Sequence, residues 1–69
     1  MFARTLRNDS HTHRFSITNE EPSGWEVREE RDSAVLRLAH YDDWHRVERA
    51  RRVFALEAFT LCRDGWTEA

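Results

Sequence analysis

Histidine and carboxylate are the side chains here with the most chemistry to offer, and they fall into two groups. His11 and His13 stand on one edge of an extended segment, while His40 and His45 bracket the acidic pair Asp42 and Asp43. Zinc accepts such ligands. The spacing fits no structural zinc motif, however, and Cys62 lies far along the chain from His13, so these read as surface histidines with no metal and no other cofactor. Cys62 is the one cysteine. Near a helix C-terminus the dipole disfavours its thiolate, which argues for a small buried hydrophobe over a nucleophile. Glu29, Glu30, Asp32, Asp42 and Asp43 supply carboxylates, but charged residues are 35% of the chain, so such neighbours are expected by chance. Nothing sets two of them apart as an acid–base pair, and so short a chain has little room for a pocket of ~300 Å³ or more. The expectation is a protein that is not an enzyme.

Arginine offers a different chemistry, the recognition of phosphate. All eleven basic residues are arginines, set against thirteen acidic ones for a formal charge of −2. Arg46, Arg49, Arg51 and Arg52 crowd one helical segment, and alternation places Arg14, Arg28 and Arg37 on the open face of a sheet. A basic stripe there is a phosphate footprint. Nucleic-acid binding through Arg14, Arg28, Arg37 and Arg46 is therefore one expectation, and a three-stranded sheet followed by a helix is similar in architecture to small DNA-binding modules, although none of their motifs is present. Glu26, Glu30 and Glu48 interleave with the arginines, and the net charge is no signal for nucleic acid or an acidic membrane.

These side chains must be held by a very small fold. With 69 residues the chain is one domain, of a size that buries only about 60% of its unfolded surface. A single cysteine allows no internal disulfide, which suits a reducing cytoplasm. No stretch reaches the roughly 18 apolar residues of a membrane span, and no apolar run follows Arg4 and Arg7 as a targeting signal requires. Residues 1–12 are polar, with Asn8, Asp9 and Ser10 in a row and only Phe2 and Leu6 apolar in the stretch behind Met1, so they are expected to form a flexible tail. Residues 13–69 form the domain.

His13 to Asn19 alternates, with Phe15 and Ile17 on one side, as a half-buried strand does. Residues 19–24 collect turn formers around Pro22. Trp25 to Glu30 alternates again through Trp25 and Val27, and Ser33 to His40 through Ala34, Leu36 and Leu38. A two-residue Arg31-Asp32 loop puts Val27 opposite Leu36, Trp25 opposite Leu38 and Glu26 opposite Arg37. Asp42 and Asp43 mark a helix start, Gly65 marks its end, and Tyr41 to Trp66 between them reads as one helix. The expected fold class is α+β, a three-stranded antiparallel meander with one long C-terminal helix on its inner face, in the order β-β-β-α.

At 100° per residue, Val47, Ala50, Phe54, Ala58 and Leu61 make one stripe, flanked by Trp44, Ala55 and Cys62. That stripe is the core face. Val53, Leu56 and Phe59 fall well away from it, bordered by Arg49 and Arg52, and aromatic residues with arginine are enriched in interface centres. Trp66 likewise has no evident place inside. A single small core cannot cover both helix faces, so the expected function is an interaction module that pairs with itself or with another protein through Val53, Leu56, Phe59, Arg49 and Arg52.

Overall fold

In the computed structural model, which describes residues 2–20 and 24–69, the sheet has five antiparallel strands and one helix crosses it. The strands are β1 (Phe2–Asn8), β2 (His11–Asn19), β3 (Trp25–Arg31), β4 (Ala34–Tyr41) and β5 (Thr67–Glu68), and the helix α1 spans Trp44–Arg63. Their spatial order is β4-β3-β2-β1-β5. The α+β class holds, but the sheet has five strands where the sequence suggested three, so the likeness to three-stranded DNA-binding modules lapses.

The first correction is to the N-terminal segment. Residues 2–8, expected to lie in a tail, form β1 and pair along their whole length with β2, from Phe2 opposite Ile17 to Asn8 opposite His11. The polar run Asn8-Asp9-Ser10 is a hairpin turn, in which Asp9 takes the left-handed φ of 55° that aspartate tolerates. Leu6 is completely buried. Arg4, on the same side of the strand, pairs with Glu68, and the backbone N–H of Ala69 donates to the Thr5 carbonyl at 2.8 Å, so the chain's last residues complete this side of the sheet.

The second correction concerns the β3–β4 hairpin. Its loop is Asp32-Ser33, one residue later than expected, with φ of 50° and 71°. Two positive φ values are what a type I′ turn requires, and this turn supplies them without glycine. A β-bulge follows at Glu29/Glu30, beyond which Val27 faces Ala39, Trp25 faces Tyr41 and Glu26 faces His40. A one-residue offset turns every later side chain to the other face. Leu38, expected inside opposite Trp25, therefore stands on the outer face beside Arg28, and Arg37, expected outside, faces the helix beside Glu29. Leu36 and Leu38 are 58% and 57% exposed. Asp32 also locks the two hairpin ends together, accepting from the Thr12 N–H and from His11 at 2.9 Å each, and the Thr12 bond holds its carboxyl below the ordinary range.

Pro22 and most of the expected turn around it lie outside the described residues, but the Glu20 N–H closes the segment onto the Gly24 carbonyl at 2.6 Å. Gly24 has φ of 107°, and a Cβ there would strike the Tyr41 carbonyl, so only glycine allows β3 to start so close to the end of β4.

Asp43 caps α1 by accepting the His45 N–H at 2.9 Å, and the helix ends where Gly65 takes φ of 102° and the Trp66 N–H returns to the Leu61 carbonyl. Val47, Phe54 and Ala58 are buried against Leu6, Phe15, Ile17 and Val27, with the Phe15 and Phe54 rings 4.9 Å apart. Ala50 and Leu61 border this core, as does Trp66, which has a place inside after all. Cys62, expected to be buried, is exposed. From the end of β4 the helix runs back over the sheet to the far edge, where β5 joins β1.

Phe54→Ala should cost ~3–5 kcal/mol and leave most of the chain unfolded at room temperature. Leu6→Ala should cost ~2–5 kcal/mol. Urea denaturation followed by circular dichroism measures both, and a Leu6→Ala midpoint equal to that of the parent would return residues 2–8 to the role of a tail.

Candidate functional site

The helix surface turned from the sheet carries the residues singled out for association. Leu56 is 66% exposed, Phe59 59% and Val53 39%. Among the described residues nothing covers them. Arg49 and Arg52 border them, and the nearest carboxylate to Arg52 is Glu48 at 3.9 Å, which is itself bonded to Arg51 at 2.6 Å. Val53, Leu56, Phe59, Arg49 and Arg52 thus lie on one continuous strip of α1.

The arginines assigned to nucleic acid do not stay together. Arg14 and Arg28 lie on the outer sheet face, where Arg14 stands opposite Glu30 and Arg28 pairs with Glu26 at 3.1 Å. The bulge removes Arg37 to the helix side. Arg46 is on α1, also on that side, with Arg37 and Arg49 around one cleft. No single basic face remains.

A cluster that the sequence did not disclose lies under the C-terminal half of α1. His13, read as a surface residue, is 3% exposed, and Glu29 beside it 7%. Arg31 Nε donates to His13 Nδ1 at 3.0 Å, and His13 Nε2 meets Glu29 Oε2 at 2.8 Å. The Arg31 guanidinium lies over the Trp66 ring, 4.9 Å from its centroid, and Trp66 presents an edge to His13. Glu57 reaches in from the helix, and Arg37 stands 3.9 Å from both Glu29 and Glu57. A cleft of about 320 Å³ opens beside them, walled by Leu56, Thr60 and Leu61. The signal was parity. His13 shares a strand face with Phe15 and Ile17, Glu29 with Trp25 and Val27, and Glu57 falls next to the core stripe on the helical wheel.

Potential ligand atoms of His13, Glu29 and Glu57 lie within 4.8 Å of one another, close enough to invite a divalent cation. The hydrogen bonds argue against one. Guanidinium nitrogen only donates, so His13 Nδ1 accepts and the ring proton sits on Nε2, pointed at Glu29. A metal-bound imidazole has the opposite order, its lone pair toward the ion and its N–H toward an outer acceptor. The charges also have a counterpart within the protein in Arg37. The other histidines are exposed, His11 against Asp32 and His40 against Glu20 at 3.4 Å.

Burial pushes the Glu57 carboxyl above its ordinary value of 4.5, and a hydrogen bond to Glu29 together with the charge of Glu29 push it further, with Arg37 opposing. The Thr60 hydroxyl at the cleft wall donates to the Leu56 carbonyl of its own helix. The arrangement holds the buried Glu29 side chain in place through His13, Arg31 and Arg37. No family model, curated protein or solved structure matches this chain.

Because its folded-state pKa is raised, Glu57 contributes stability that is complete below its ordinary value and is lost as pH rises through the folded value. Glu57→Gln should therefore raise the melting temperature at pH 7 in dilute solution and flatten its decline with pH above about 4.5. A calorimetric melt at each pH decides this; a steeper decline in the variant would reverse the sign. Zinc added to the parent should leave the melting temperature unchanged, since a native-state ligand stabilises in proportion to its binding.

Proposed function

We propose that this protein is a non-enzymatic interaction module that acts as a homodimer, its two copies packing helix against helix across a two-fold axis. The observation that carries this reading is the row Val53, Leu56 and Phe59, large apolar side chains left to solvent on a domain too small to bury them itself. In a two-fold contact each copy supplies the same patch to the other.

An antiparallel pairing of two copies of α1 centred between Val53 and Leu56 sets Val53 of each copy opposite Leu56 of the other, with Arg49 and Arg52 at the rim. Arg52 is 78% exposed, with only the distant Glu48 for company. The free edge of β4 is the less suitable contact, because a bulge and the inward-turned charge of Arg37 are the means by which sheet edges resist strand addition.

Among the described residues no helix is long and apolar enough to cross a membrane. The exposed, unpaired thiol of Cys62 fits a reducing cytoplasm.

Leu56→Arg places two like charges at the centre of the pairing and should raise the dimer dissociation constant on the order of 100-fold or more, the scale of losing a central apolar anchor from both sides. Sedimentation equilibrium at micromolar concentration gives the mass, and circular dichroism shows whether the fold survives. A monomeric parent would end the homodimer reading. A dimer indifferent to Leu56→Arg would move the contact to β4, where Leu36 and Leu38 are exposed.

A further inference from the structure

Past Arg37, on the side away from the ionic cluster, the groove between α1 and β4 widens to a cleft of about 400 Å³. Arg37 and Tyr41 reach it from the sheet, Arg46 and Arg49 from the helix, and Val27 and Ala50 form its floor. Among the described residues no carboxylate lines it. Among the described residues the side chains of Arg46 and Arg49 take part in no ion pair or hydrogen bond, while Arg37 stands 3.9 Å from its two carboxylates, beyond hydrogen-bond reach. The unpaired guanidinium groups of Arg46 and Arg49 therefore meet Arg37, which is shared with the two carboxylates, in one concavity.

A cleft walled by charge of one sign over a low-dielectric floor concentrates its counter-ion. Guanidinium forks match the oxygens of phosphate and carboxylate, and three of them suit a dianion better than a monoanion. The volume exceeds what a lone phosphate fills, and the surplus is apolar, with the Tyr41 side chain at its wall. We propose that this cleft binds the phosphate group of an organic phosphate ester, with Arg37, Arg46 and Arg49 on the phosphate oxygens and the organic part over Val27 and Ala50. The cleft borders the proposed dimer strip at Val53 and Arg49, which line it, whereas Leu56 and Phe59 do not.

Isothermal titration calorimetry of the full chain at low ionic strength, with inorganic phosphate, a nucleoside monophosphate and a 5′-phosphorylated oligonucleotide, tests it. The expected result is one saturable site per chain, at least tenfold tighter for the nucleoside monophosphate than for inorganic phosphate. Arg46→Gln and Arg49→Gln, both on the exposed helix surface, should each weaken it tenfold or more with an unchanged melting curve. Arg14→Gln on the opposite sheet face should leave it intact, and Leu56→Arg should retain it in the monomer. Tighter binding of the oligonucleotide, with the same dependence on Arg46, would identify the source of the phosphate as a nucleic-acid end; the reverse order would identify a free metabolite. No saturable binding of any of the three, or losses equal in Arg14→Gln and Arg46→Gln, would overturn the assignment.

Discussion

A carboxylate placed in an apolar core must be given partners, and much of this fold follows from supplying them to Glu29. An unpaired buried charge costs several kcal/mol, a sizeable share of what a domain of this size has in hand. His13 on the neighbouring strand donates to one oxygen, and Arg31 fixes the imidazole tautomer that makes this possible. Arg37 comes to the other oxygen only because β4 is offset by the bulge. Without that offset the position facing Glu29 would belong to Leu36, and the carboxylate would face hydrocarbon.

The same offset distributes the surface. Turning Arg37 inward turns Leu38 outward and leaves Leu36 exposed, so the outer sheet face near β4 is more apolar than alternation implies. It also separates the arginines. Those left on the outer face meet glutamates, whereas Arg37 joins Arg46 and Arg49 at the helix. The groove under α1 consequently has an acidic half at Glu29 and Glu57 and a basic half at Arg46 and Arg49, with Arg37 between them.

The parts legible in the sequence were those governed by local rules. Capping chemistry placed the helix ends, the wheel separated buried Phe54 and Ala58 from exposed Leu56 and Phe59, and alternation found β2 and β3. What escaped depended on partners distant in the chain. β1 reads as a polar tail because one buried leucine suffices for a strand lying between two others, and the salt bridge of Arg4 to Glu68 cannot be seen from either end alone. The bulge escaped because parity assumes an unbroken ladder. His13 was legible in principle, since it shares the parity of Phe15 and Ile17, but histidine near a polar stretch invites a surface assignment.

The pairing of β5 with β1 joins residues near opposite ends of the chain, Glu68 beside Leu6. Such a contact closes a very long loop, and its entropy must be met before its few hydrogen bonds can contribute. The local β1–β2 and β3–β4 hairpins carry no such requirement. The order of assembly is thereby biased: the meander forms from its turns, α1 settles across it, and β5 docks onto the waiting edge of β1 last. The native state opens in the reverse sense, so loss of β5 adds the Leu6–Arg7 stretch of β1 to the unpaired backbone the sheet already offers at the β4 edge.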